Sequence, residues 1–354
     1  MPDVERELLR RLLSDADSGK PISGQWIASL NRDAEVMAVA RKNRLSPLLG
    51  AFALPEYPVA LADAFRRDRL TTLGRSTLLR RALANLFGAF DRAAVKVVAL
   101  KGIAYDDLFY PQPGTRPASD IDLLVKPSQR RDALAVLQGL AYVPYASSPG
   151  FDQPDYHEIS FRSAEANLDL HFALAPLVRC RIDYDDVWSH LETWVFEGRP
   201  TQTLGHAHAA LNQALHMAIH HFDVPASYLI DFRRIVDAAG PSGPTDIERL
   251  ARAWRCERPL QTTLRLCEAF LEWSGCGRFA RDPRAPYAER VVAGFGSGDS
   301  PVRREQLIRK VTHFDKRTDA GRYLWVQGQR ILRERWLQFA GPARSASERI
   351  GYRP

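Results

Sequence analysis

Asp120 and Asp122 stand two residues apart in the run Arg116-Pro117-Ala118-Ser119-Asp120-Ile121-Asp122-Leu123-Leu124-Val125. The apolar end of that run reads as a buried strand, in which alternate side chains share a face, so the two carboxylates point the same way. Adjacent like charges are costly unless something positive sits between them, and a divalent cation taking oxygen ligands from both is the usual solution. The plainer alternative is a strand-end pair facing water. A third carboxylate, Asp169, lies in Leu168-Asp169-Leu170-His171 with apolar neighbours on both sides. Such a group needs a partner, and the same metal would supply one. His171 follows Asp169 by two residues and shares its face, within reach of a metal or an acceptor.

The elements that must position these groups are short. Residues 95–100 form a β-branched run ending in Lys101-Gly102, where a glycine lets the backbone come close to a ligand and a following helix start favours an anion. Residues 103–110 suit that helix, and Pro111-Gln112-Pro113-Gly114 stops it. Residues 128–140 have helical spacing and return the chain to the sheet. Residues 157–162 and 168–174 read as two strands joined by the polar loop 163–167.

Leu100-Lys101-Gly102 after a strand, a helix ending in Tyr110-Pro111, then Arg116-Pro117-Ala118-Ser119-Asp120-Ile121-Asp122-Leu123-Leu124-Val125, and later Leu168-Asp169-Leu170-His171, resemble an uncharacterised nucleotidyltransferase family of the DNA polymerase β-like nucleotidyltransferase superfamily. The likeness extends loosely over residues 30–240 and includes 216–237. It implies an α+β fold: a polymerase β-like core, a small mixed sheet with flanking helices, set between N-terminal and C-terminal helical regions. It implies Asp120, Asp122 and Asp169 as catalytic metal ligands for two Mg²⁺ ions, with Mn²⁺ as a substitute. Nucleotide contacts then fall to Lys101, Gly102, Arg116 and Ser119. Where the wider superfamily commonly has Gly-Ser or Gly-Gly after the first strand, this chain has Lys101-Gly102, the form its subfamily shows. Lys101 reads either as a phosphate contact or as an ordinary strand-end lysine.

The implied reaction moves a nucleoside monophosphate, AMP from ATP foremost, onto a hydroxyl by two-metal in-line transfer. The acceptor is a small molecule or peptide natural product, or an RNA end. A different class of reading is a catalytically silent nucleotide-binding or adaptor protein that kept the fold. On the metal reading, Asp122→Ala removes metal-dependent nucleotide binding and leaves the fold nearly intact, because a repelling cluster loses one charge.

The whole chain sets bounds on these readings. Its 354 residues, 45% hydrophobic, are enough for two or three domains, drawn here as an N-terminal helical region 1–93, an αβ core 94–180 and a C-terminal helical domain 181–354 with a basic tail. Residues 181–199 are acidic and aromatic, a linker or a specificity element. No apolar run approaches the roughly 18 residues that span a bilayer. The first residues lack a basic then apolar secretory pattern, and four cysteines form no Cys-x-x-Cys pair, which together favour a reducing cytoplasm. Net charge is +7, and most of the excess lies beyond residue 300. That segment suits a phosphate-rich partner or is a solvated face, and its Trp325 and Trp336 suit base stacking or a core. His216 and His220, four apart on a helix, have zinc-ligand spacing without the glutamate base of a zinc hydrolase, so they line the cleft or sit in the core. Asp231 and Arg233 contact substrate or pair at the surface. Oligomeric state is left open.

Overall fold

Two runs that patterning marks as strands, 95–100 and 121–125, pair with each other at the middle of a seven-stranded sheet. In the computed structural model the described residues are 3–52, 54–145, 157–176, 180–271, 273–280, 286–296, 320–321 and 323–325. The strands are β1 (Val97–Ala99), β2 (Ile121–Val125), β3 (Val143–Pro144), β4 (Glu158–Arg162), β5 (Asn167–His171), β6 (Leu191–Phe196) and β7 (Arg199–Leu204). Their order is β3-β4-β5-β2-β1-β7-β6. The β2–β5 and β1–β7 pairs are parallel and the others antiparallel, so the sheet is mixed. With helices before and after the strands among the described residues, this is the α+β architecture anticipated above.

Every residue of β2 is buried. A strand covered on both faces reads as a continuous apolar run, which Leu123, Leu124 and Val125 supply. Asp122 is the exception, and it needs compensating partners.

The segment 181–199 is neither linker nor loop. Asp183 caps the helix Tyr184–Ser189, its side chain accepting from Asp185 N at 3.0 Å and Asp186 N at 3.2 Å. The hairpin β6–β7 follows, turning at Glu197 and Gly198, both at positive φ (48° and 75°). Such a turn usually announces itself as Asn-Gly or Asp-Gly, and the glutamate hides it. Trp194 and Phe196 alternate inward, and Phe196 meets Phe87 edge-on at 5.9 Å.

The chain forms two compact units that interleave in sequence. One takes 1–76, 105–118 and 206–313, and the other takes 77–104, 119–205 and 314–354. The three consecutive blocks drawn from sequence differ from this division, because composition sees neighbours along the chain and not those across it. The whole sheet belongs to the second unit. The helix Val59–Arg92, one unbroken element, starts in the first unit and ends in the second.

The first unit is helical, with cores such as Leu8, Leu9, Leu12 and Leu13 from Asp3–Ser18 and Ile230, Phe232 and Ile235 from Ser227–Ala238. The helix Gly243–Trp254 carries Pro244 in its first turn, where a missing N–H costs nothing. The basic segment beyond residue 300 lies almost wholly outside the described residues, as does Trp336; Trp325 is exposed.

Two glycines of the first unit test this packing in opposite directions. A Cβ on Gly50 would collide with the Phe65 carbonyl, whereas one on Gly74, inside the helix Val59–Arg92, meets nothing within 4 Å. Chemical denaturation is expected to show Gly50→Ala destabilised by about 1–3 kcal/mol. Gly74→Ala is expected to gain about 0.5–1 kcal/mol.

Candidate active site

The register of the central strands brings the site together. Asp122 on β2 lies opposite Asp169 on β5, and Asp169 lies opposite Ser160 on β4. One pair further along, Leu124, His171 and Glu158 line up in the same way. Residues opposite one another share a face about 4.8 Å apart, so Asp122, Asp169, His171, Glu158 and Ser160 project together from one side of the sheet.

Lys101 arrives from the end of β1, where Leu100 N donates to the Asp122 carbonyl at 3.1 Å. Its ammonium sits 3.1 Å from Asp122 Oδ1. His171 Nε2 reaches the same oxygen at 3.1 Å. Burial at 3% exposure pushes the Asp122 carboxyl up, but the Lys101 charge and then His171 outweigh it and hold it well below the usual carboxylate range. Asp122 is therefore not a carboxylate whose removal leaves the fold nearly intact. Its loss would leave the Lys101 ammonium and the His171 ring in a buried place without the carboxylate they share.

Asp169 has the opposite character. Burial, and then the charge of Asp122, push its carboxyl up to about 6, against the opposing Ser160 hydroxyl. The negative charge on Asp169 is left uncompensated, and the donors of the pair are oxygens, which fits a hard divalent cation. Asp122 and Asp169 would hold such an ion, with Asp120, half-buried just before β2, as the third candidate. Among the described residues, Asp120, Asp122 and Asp169 do not bring three ligand oxygens within 4.8 Å of one another. In this arrangement Lys101 supplies the positive charge at Asp122.

Glu158 is the residue that sequence reading passed over. Its Oε2 lies 3.2 Å from His171 Nδ1 and 3.5 Å from His157 Nε2. Burial raises its carboxyl, but His171 and then His157 bring it below the ordinary glutamate range. The His171 ring, depressed by burial, is raised overall by Glu158 and Asp122. The available signal was period-two spacing: Glu158 and Ser160 share a face of a strand paired with the one that carries Asp169 and His171.

Gly102 is buried at φ +65°, a left-handed conformation that suits glycine, and it passes the chain from β1 into the helix Ile103–Phe109. Ser119 is half-buried ahead of Asp120.

Arg116 belongs to the first unit and is engaged there. Its Nε and Nη2 donate to Asp231 Oδ1 and Oδ2 at 2.8 and 2.9 Å, and Tyr110 OH donates to Oδ1 at 2.7 Å. Tyr105 stacks beneath the guanidinium at 5.3 Å. Exposures of 7% and 1% make this a buried fork-to-fork pair, and Asp231 pairs inside rather than at the surface. Arg233 pairs with Asp17 and Asp237. His216 and His220 also lie in the first unit, their rings edge to face at 4.7 Å, with Tyr228 5.5 Å from His216. His220 lies past the end of His206–Ile219 and is exposed. Among the described residues no third His, Cys, Asp or Glu joins these two as a ligand group.

The model of a family described as uncharacterised nucleotidyltransferase matches residues 31–272, more than half the chain. No curated protein matches it. Similar solved structures include the crystal structure of ANT(2″)-Ia in complex with adenylyl-2″-tobramycin, 18% identical, covering 49% of this chain and 95% of that one at a TM-score of 0.36. A solution structure of the antibiotic-resistance factor ANT(2″)-Ia is 18% identical, covering 51% and 90% at a TM-score of 0.35.

Two outcomes follow from the charges. Asp231→Asn removes one partner of a buried bidentate pair, and denaturant unfolding is expected to register a loss of about 3–5 kcal/mol; a change of a few tenths would show the pair to be incidental. The Asp169 carboxyl is raised on folding, so its protonation adds stability below the unfolded value near 4, and that is lost as pH rises through about 6. In chelator, Asp169→Asn is therefore expected to exceed the parent in stability at neutral pH, by at most about 3 kcal/mol, with the gap closing by about pH 4.

Proposed function

This chain belongs to the uncharacterised nucleotidyltransferase family, and we propose that it is a Mg²⁺-dependent enzyme transferring a nucleoside monophosphate from a nucleoside triphosphate to a hydroxyl acceptor. The observation that carries the reading is the Asp122–Asp169 pair: two carboxylates opposite each other on parallel central strands, one of them raised to about 6 by burial and by the charge of the other. Oxygen ligands, burial and unrelieved negative charge together describe a site for a hard divalent ion.

Asp120, Asp122 and Asp169 would hold the metal. Bound Mg²⁺, with Mn²⁺ as a substitute, lowers the pKa of an acceptor hydroxyl and offsets charge on the phosphates. The acceptor oxygen attacks the α-phosphorus, the bond to the bridging oxygen breaks, and pyrophosphate leaves in line. Asp169, opposite Asp122 across the two strands, accepts the acceptor's proton. Lys101, on a flexible stem beside Asp122, passes from that carboxylate to the phosphates. Gly102 and Ser119 line the same approach. Arg116 acts by fixing the chain before Ser119 through Asp231 and Tyr110. AMP from ATP is the first transfer to test, and the acceptor is a small molecule, a peptide natural product or an RNA end.

The test is calorimetric titration with each of the four ribonucleoside triphosphates, with Mg²⁺ and then with excess chelator. Metal-dependent binding that Asp169→Asn weakens at least about tenfold is the expected result, a difference of about 1.4 kcal/mol. Absence of binding to all four would favour a silent adaptor that retains the fold.

A further inference from the structure

We propose that Glu158 is a positioning residue of this site: it holds the His171 ring, and His171 sets the orientation of the Asp122 carboxylate. The inference rests on the metal-ligand reading of Asp122 and adds the two residues behind it.

Lys101 and His171 both reach Asp122 Oδ1, each at 3.1 Å. The two supports differ mechanically. Lys101 ends a four-carbon stem and is 17% exposed, so a polyphosphate can draw it away. His171 cannot follow, because it is fixed on β5 with its side chain only 6% exposed. Once Lys101 turns to a phosphate, His171 still holds Oδ1 and with it the orientation of the carboxylate.

A ring can do this only if its own tilt is fixed. His171 Nδ1 is buried and has no hydrogen bond in this state. The oxygen beside it is Glu158 Oε2, 3.2 Å away but off the line a hydrogen bond needs. The β4–β5 register sets Glu158 directly opposite His171, so a rotamer adjustment is enough to close the contact. His157 Nε2, 3.5 Å from the same oxygen, steadies it from the other side. Closing that contact completes a carboxylate–imidazole–carboxylate chain, an arrangement in which the outer group fixes the ring and the ring fixes the ligand.

The experiment is a double-substitution cycle read by Mn²⁺ affinity in the absence of nucleotide, followed by electron paramagnetic resonance, with a melting curve on every variant. Glu158→Leu is expected to weaken Mn²⁺ binding by about 10- to 100-fold. Glu158→Gln, which keeps a polar partner for Nδ1, is expected to recover most of that. In a His171→Asn background, Glu158→Leu is expected to add nothing further, because the link it acts through is gone. If Glu158→Leu does not fold, Glu158→Thr, short but suited to a strand, takes its place. Equal losses in the Leu and Gln variants would assign the effect to charge alone and overturn the proposal. So would a loss that carries over unchanged into the His171→Asn background, or no loss at all. If the parent binds no Mn²⁺, or Asp122→Asn binds as tightly as the parent, the metal reading fails and this inference falls with it. If both of those controls behave and the cycle is additive, the inference alone fails.

Discussion

One carboxylate in the middle of a buried strand sets the terms for the sheet around it. Asp122 is 3% exposed in a strand whose other four residues are apolar and buried, and an ionised group there without partners would cost several kcal/mol. Lys101 at the end of β1 and His171 on β5 answer it from the two strands that flank β2. The central pairings are thereby tied to the chemistry: a shift of register by one residue would turn His171 and Asp169 to the opposite face.

The same cluster holds two carboxylates at opposite ends of the titration scale. Asp122 is held ionised by Lys101 and His171, while Asp169, one strand away, is pushed towards neutrality by burial and by Asp122 itself. That asymmetry separates a carboxylate held ionised from one able to take a proton near neutral pH. Environment alone produces the difference, since the side chains are chemically identical.

The first unit solves a similar problem without chemistry. Asp231 is buried and fully occupied by the Arg116 fork and the Tyr110 hydroxyl, and Asp106 accepts from the backbone of Gly114 and Arg116 at 3.3 and 3.1 Å. These bonds fix the irregular stretch after the helix Ile103–Phe109, the stretch that leads to Ser119 and Asp120. An arginine that sequence places among nucleotide contacts has its guanidinium spent on this anchoring, a distinction only its partner 115 residues away reveals.

Sequence by itself determined the local elements and the shared face. Period-two spacing put Asp122 on one strand face and Asp169 with His171 on another, β-branched runs marked β1 and β2, and Lys101-Gly102 marked the turn out of β1. These are properties of residues close together in the chain, set by backbone geometry and burial. The hairpin β6–β7 escaped because its turn uses a glutamate at positive φ, and the interleaved units escaped because they are built from segments far apart in sequence. Tertiary structure alone decided that Asp122 faces Asp169, that Lys101 and His171 share one oxygen, that Glu158 stands behind His171, and that Arg116 belongs to Asp231. Each of those is a pairing of charges across strands or helices, and a charge finds its partner through the register and packing of the folded chain.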